Sequence, residues 1–215
     1  MTRISLVLLV CVALLVPACD DPENRIQAPP PTPPLEFQDL TEKDHVLNNL
    51  VASYRMRDIN EYKRIIDVDY YQFFFSDGDV SNGLPADGWD KTQDELATTN
   101  LLDRSNPAPN RIIAIDLSVD SSNLVWVALD AAPPLTETWY TVTTNYSFTF
   151  KTANDISYIT SGSPRTQFIV RNIGTDTAPQ WRLVQWRDLG DGSRAASAAA
   201  AVEERNWGSV KAIYR

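Results

Sequence analysis

Residues 138–152, TWYTVTTNYSFTFKT, alternate apolar and polar side chains along their length. Tyr140, Val142, Tyr146, Phe148 and Phe150 fall on one face, and Thr141, Thr143, Asn145, Ser147, Thr149 and Lys151 on the other. A period of two belongs to a β-strand with one buried and one wetted face. Such a strand needs partners on both edges and a layer over its apolar face. Candidate partners surround it. RIIAIDLSV (111–119) and LVWVAL (124–129) flank DSSN, which reads as a hairpin connection. RTQFIVRNI (165–173) and WRLVQWRDL (181–189) flank the turn-rich GTDTAP. In a regular strand Trp181 and Trp186, five apart, point to opposite faces.

The covering layer is encoded upstream, where the period is helical. In LTEKDHVLNNLVASYRMRD, Val46, Leu47, Leu50, Val51 and Tyr54 form one stripe, with Thr41 as the expected N-cap. INEYKRIID gives a second helix facing inward through Ile59, Tyr62, Ile65 and Ile66. YYQFFFS (70–76) is an aromatic strand, DGDVSNGLPADG (77–88) a loop, and WDKTQDELATTNLLD a third helix capped by Asp90 or Thr92. Near the end, WGSVKAIY (207–214) reads as a short docked helix carrying Trp207, Val210 and Ile213. Helices followed by long antiparallel strands make an α+β chain.

The N-terminus is a targeting segment. Arg3 precedes the apolar run ISLVLLVCVALLV (4–16), which is too short to span a membrane comfortably. Val16-Pro17-Ala18-Cys19 follows. A small residue directly before a cysteine, after such a run, resembles the lipobox of bacterial lipoproteins. That resemblance implies that residues 1–18 are removed and that Cys19 becomes the lipid-bearing first residue, anchored in a membrane. Pro17 departs from the usual middle position, and the alternative is an ordinary secretory signal ending at Ala18. One acyl chain holds a protein to a membrane only reversibly, and two or three hold it stably. Asp20 resembles the inner-membrane retention signal of enteric bacteria, and the choice between inner and outer membrane stays open. Residues 19–36, rich in proline, form an extended tether. Residues 37–190 form the domain, and 191–215 an alanine-rich segment with the terminal helix. The chain's two cysteines are Cys11 and Cys19, so the exported domain has neither a thiol nor a disulfide. The net charge of −9 argues against a nucleic-acid partner.

VLNNLVASYRMRDINEYKRIIDVDYYQFFF, then WDKTQDELATTNLL, then WRLVQWRDL resemble, in order and texture, the nuclear-transport-factor-2-like superfamily, which includes the SnoaL-like cyclases and ketosteroid isomerases. The resemblance covers roughly residues 40–189. It implies a strongly curved antiparallel sheet wrapped on the N-terminal helices as a cone, with a short C-terminal helix added. Family enzymes work inside the cone with a carboxylate base and a tyrosine donor. By resemblance, Asp67 or Asp69 is the candidate base and Tyr54 the candidate acid.

Asp116 interrupts an apolar strand, and burial there would raise its pKa. Trp126, Trp186 and Tyr146 are candidates for an aromatic lining around an apolar ligand. His45 is the sole histidine and has no metal or triad partner. DGDVSN begins like a calcium loop and then fails at Asn82 and Gly88. No metal or cofactor is expected. Two functions follow. The first is a non-enzymatic, membrane-anchored envelope module that binds a small apolar ligand or an envelope protein. The second is an isomerase- or cyclase-type enzyme. A homodimer through the open sheet face is a further expectation.

Overall fold

The computed structural model describes residues 36–106, 111–129, 139–159, 164–190, 202–205 and 207–215. The segment read as an export signal, Cys19, the proline-rich stretch read as a tether and the alanine-rich stretch 191–201 lie outside the described residues.

The first helix, α1 (Lys43–Met56), forms on the expected stripe, with Val46, Leu47, Leu50 and Tyr54 buried. Thr41 does not cap it. The N-cap is Glu42, and the Thr41 hydroxyl donates instead to Asp39 Oδ1 at 2.6 Å. Arg57, at φ 60°, ends the helix in the left-handed region and donates its N–H to the Ser53 and Tyr54 carbonyls. Asp58 then caps α2 (Ile59–Ile65) by accepting from the Asn60 and Glu61 amides. The strand β1 (Gln72–Phe74) follows. The stretch expected as loop contains one helical turn, α3 (Asp77–Ser81), because Ser76 accepts from the Asp79 amide and so provides a cap. After β2 (Trp89–Asp90), α4 (Lys91–Leu102) starts with a reciprocal capping box between Asp90 and Gln93.

The remaining strands are β3 (Ile112–Val119), β4 (Val127–Leu129), β5 (Trp139–Thr152), β6 (Ser157–Ile159), β7 (Arg165–Asn172), β8 (Trp181–Gly190) and β9 (Val202–Glu204), before α5 (Trp207–Ile213). The sheet order is β2-β1-β8-β7-β5-β6-β9, with β3 and β4 also on β5. The α+β architecture with a strongly curled sheet against the N-terminal helices is therefore present. The sheet is mixed rather than purely antiparallel, because β1 joins β8, and β6 joins β9, in parallel.

The expected hairpin between β3 and β4 does not form. Both pair with β5: β4 with its first residues (Val127 opposite Thr141) and β3 with its last (Leu117 opposite Phe148). On the other edge, β7 takes the first half of β5 and β6 the last part. One 14-residue strand thus changes neighbours partway along both edges, and the sheet curls about it.

A second departure is a β-bulge. Ile169 faces Gln185 while Val170 faces Leu183, leaving Val184 as the extra residue of β8. The bulge cancels one step of alternation. Trp181 and Trp186 consequently lie in the same core, at 9% and 1% exposure, rather than on opposite faces. Trp181 packs edge-on against Tyr140, and Trp186 lies among Tyr54, Phe73 and Phe168.

Candidate functional site

The space between the helices and the curled sheet is where the resemblance places a ligand. In this chain α5 fills it. On α5 and in the turn that ends it, Trp207, Val210, Lys211 and Tyr214 are buried while Ile213 is exposed. The inward stripe is therefore i, i+3, i+4, i+7, and Lys211 takes the inner place expected for Ile213. The Trp207 ring stacks on Trp186 (centroids 4.9 Å apart, 23° between planes). It also meets Tyr54 edge-on at 4.8 Å and lies 5.4–5.6 Å from Phe150 and Phe148. These partners come from α1, β5 and β8, so one indole bridges helix layer and sheet. Aromatic pairs of this kind contribute about 0.5–1.5 kcal/mol each beyond the area they bury.

Below Trp207 sits a buried ion pair. Lys211 Nζ donates to Asp94 Oδ1, and both side chains have 0% exposure. The other carboxylate oxygen of Asp94 accepts from Tyr62 and, at 3.2 Å, from Tyr71. The ammonium also lies 4.6 Å from the Phe73 ring centre and 4.9 Å from that of Trp186, within cation–π range. Burial pushes the Lys211 ammonium down in pKa while Asp94 pulls it back. Burial, and then the Asp94 charge, hold the Tyr54, Tyr62 and Tyr71 hydroxyls well above the usual tyrosine range. They are donors and not phenolates at neutral pH. With a lysine on one oxygen and two tyrosines on the other, both oxygens of the Asp94 carboxylate are engaged.

A second set of carboxylates holds the start of α5. Asp188 Oδ2 accepts the Gly208 amide at 3.2 Å, and its Oδ1 accepts Tyr146 OH at 3.1 Å and the Gly190 amide at 2.9 Å. Tyr146 OH in turn accepts the Trp207 amide at 3.3 Å. Asp79 accepts the hydroxyls of Ser76 (2.8 Å) and Ser209. Desolvation raises the pKa of Asp188 to about 6, with the Asp79 charge adding to it and backbone amides opposing. Gly208 is required here by space, since a Cβ would stand 2.6 Å from Phe75 Cδ1 and 2.9 Å from Asp79 Oδ2.

Of the residues singled out from sequence, Tyr54, Trp186 and Tyr146 meet around Trp207, while Asp67, Asp69, Asp116 and Trp126 are held by other partners. Tyr54 is fully buried and shares a hydrogen bond of 3.2 Å with Thr98 Oγ1; the carboxylate that acts on it is Asp94. Asp67 is buried against Arg171, with Arg171 Nε donating to Oδ2 at 2.6 Å. Asp67 Oδ1 also accepts the Asp69 and Tyr70 amides at 2.9 and 3.0 Å. Asp69 is 65% exposed and touches Arg171 at 3.3 Å. Tyr54 is thus engaged with Thr98 on α4, and the two aspartates with Arg171 on β7. Asp116 is exposed and bound to Arg55 at 2.7 Å, so it is not a buried carboxylate. Trp186 and Tyr146 both touch α5, whereas Trp126 is half-buried at the margin of the core and donates from Nε1 to Asp44 at 2.6 Å. His45 Nδ1 lies 2.8 Å from the Asp39 carbonyl, a local turn contact. Among the described residues no cluster of three or more His, Cys, Asp or Glu side chains could hold a metal. Cys19 lies outside the described residues.

Sequence reasoning missed Asp94, Asp188 and Lys211, and read Asp79 only as part of a turn-forming loop. Asp94 begins the buried stripe Asp94, Ala97, Thr98, Leu101, Leu102 on α4, and Lys211 interrupts the stripe of α5. A charge at an apolar-stripe position was the available signal.

No protein-family model matches the chain, and no curated protein matches it. Solved structures resemble it at low identity. A putative aromatic ring hydroxylase from Novosphingobium aromaticivorans is 11% identical, with 72% of this chain and 90% of that one covered and a TM-score of 0.49. A putative calcium/calmodulin-dependent protein kinase type II association domain from Thiobacillus denitrificans is 10% identical, over 71% of this chain and 98% of that one, with a TM-score of 0.42. A conserved protein from Planctomyces limnophilus is 12% identical, over 68% and 91%, with a TM-score of 0.43.

Proposed function

We propose that this chain is a nuclear-transport-factor-2-like domain put to non-enzymatic use, a binding or interaction module held at the cell envelope by a lipid on Cys19. The observation that carries the non-enzymatic part is the occupied interior. Trp207 and Lys211 stand between α1, α4 and the sheet, and every oxygen of Asp94 is committed to a lysine or tyrosine of the same chain. Asp67 is likewise committed to Arg171 and two backbone amides. A small apolar ligand would have to displace Trp207, so the reading favours a protein partner met on the outer surface.

The anchoring part draws on the sequence around Cys19 and on the tether after it. It is tested by expressing the full chain in a bacterial host beside Cys19→Ser. The parent should fractionate with membranes and carry acyl mass on Cys19, and the variant should lose both. Unmodified Cys19, or identical fractionation of the two proteins, overturns it. Saturable uptake of an apolar dye that quenches the core tryptophans would overturn the occupied-interior part.

A further inference from the structure

The turn that ends α1 and the start of β3 bring four arginines to one open cleft. Arg55, Arg57, Arg104 and Arg111 line about 460 Å³ of space over the backbone of residues 112–115. Among the described residues no acidic side chain lines it. The grouping stands out in a chain with a net charge of −9, because like charges at a surface repel unless something neutralises them.

The internal partners account for part of the cluster. Arg55 is paired with Asp116 at 2.7 Å. Arg104 donates from Nη2 to the Met56 carbonyl at 3.3 Å, which satisfies an orphan carbonyl at the negative end of α1. Arg57 is different. Its Nη2 is buried and has no hydrogen-bond partner among the described residues. Its backbone is fixed at φ 60° by the cap it makes to Ser53 and Tyr54. Burial first, and then repulsion from Arg104 and Arg111, lower its pKa. The helix end therefore explains one guanidinium and leaves Arg57 and Arg111 unaccounted for.

We propose that this cleft is an anion site for a dianionic phosphate group, gripped by Arg57, Arg104 and Arg111. Guanidinium forks donate paired N–H groups that match the oxygens of phosphate, and a charge of two or more relieves the mutual repulsion better than a single carboxylate. Burial of Arg57 Nη2 lets such a bond form away from competing water, where it is stronger. Ile113, 49% exposed, stands beside the charges and offers an apolar contact to whatever carries the phosphate. That phosphate comes either from a soluble compound or from a lipid headgroup.

Isothermal titration of the full chain separates the two sources. One arm uses inorganic pyrophosphate, the other dihexanoyl phosphatidic acid below its micellar concentration. Saturable binding in either arm is expected, and the arm that binds identifies the source. The Arg57→Asn/Arg111→Gln pair should weaken it by about tenfold or more. Asn tolerates the left-handed backbone at position 57. The exposed Arg111→Gln change alone should cost roughly threefold, which keeps the test standing if the double variant fails to fold. Lys151→Gln, a surface cation paired with Asp155 outside the cleft, should leave binding unchanged. Absence of saturation in both arms, unaltered binding in the arginine variants, or an equal loss in Lys151→Gln would overturn the site.

Discussion

Two buried ion pairs among the described residues, Asp67–Arg171 and Asp94–Lys211, are built differently. Asp67 and Arg171 join the end of α2 to β7, and each charge has support beyond its partner. Asp67 also holds two backbone amides, while the Arg171 guanidinium lies 4.5 Å from the Tyr70 ring centre and near Asp69. Lys211 and Asp94 join α5 to α4 with no solvent contact at all. Lys211 has only aromatic faces and the Tyr62 oxygen besides its carboxylate. The first pair can lose Arg171 and still leave Asp67 holding two backbone amide donors. The second cannot. The difference shows that α5 is integral to the core, and that its charge is there because Asp94 would otherwise be an unpaired ion in an apolar interior.

The comparison breaks most sharply at Lys211. Lys211→Met should destabilise the chain by about 3–5 kcal/mol, because it strands Asp94 in the core. Adding Asp94→Leu, which removes the stranded charge, should restore much of the loss. Urea denaturation of the single and double variants measures this, and additive effects would contradict a coupled pair.

The carboxylate at the other end of α5 gives the next largest effect. Asp188 releases its proton at about 6 when folded, against 3.8 for an unperturbed aspartate. Between those values the folded state binds the proton more tightly. This contribution to stability is therefore complete below the lower value and is lost as pH rises through the upper one, up to about 3 kcal/mol in all. The facing groups are Tyr146, Asp79 and the amides of Gly190 and Gly208, and Asp79 contributes to the upward shift. A carboxyl-carbon titration by NMR should place the Asp188 midpoint near 6. An ordinary midpoint near 4 would mean that α5 does not seal this carboxylate from water. Arg171→Met, by contrast, should cost only about 2 kcal/mol, because Asp67 keeps its two amide donors. A loss equal to that of Lys211→Met would erase the distinction between the pairs.

Much of the architecture was legible because it is written in local periods. The alternation of β5, the stripes of α1 and α2 and the Asp90 cap each depend on neighbours a few residues away. The misreadings arise where distant pairing decides. The β3–β4 segment looks like a hairpin locally, yet both strands are claimed by the long edge of β5. Trp181 and Trp186 follow simple alternation until the bulge at Val184, which is visible only in the register against β7. The interior was the least legible part. Lys211 and Asp94 are 117 residues apart, and each alone looks like a surface charge. Only together do they explain why each occupies an apolar-stripe position. The resemblance directed attention to Asp67, Asp69 and Tyr54, while the carboxylates that organise the interior stand on α3, α4 and β8.

The smallest effect belongs to a third pair, outside the core, and it connects to the arginine cleft. Arg55 and Asp116 meet at 2.7 Å, but their side chains are 34% and 74% exposed. Water and salt screen such a pair, so Asp116→Ala should change stability by no more than about 0.5 kcal/mol. Its consequence should instead be electrostatic. Asp116 neutralises the one cleft arginine that has an acidic partner among the described residues. Removing it leaves four uncompensated guanidiniums around the same space, which should tighten phosphate binding by roughly threefold at low salt and less at high salt. Paired titrations of the parent and Asp116→Ala at two ionic strengths measure this. An unchanged affinity at both would place Arg55 outside the anion's reach and confine the site to Arg57, Arg104 and Arg111. A change in stability as large as that of Arg171→Met would mean that an exposed pair can equal a buried one here, against the ordering proposed for the three.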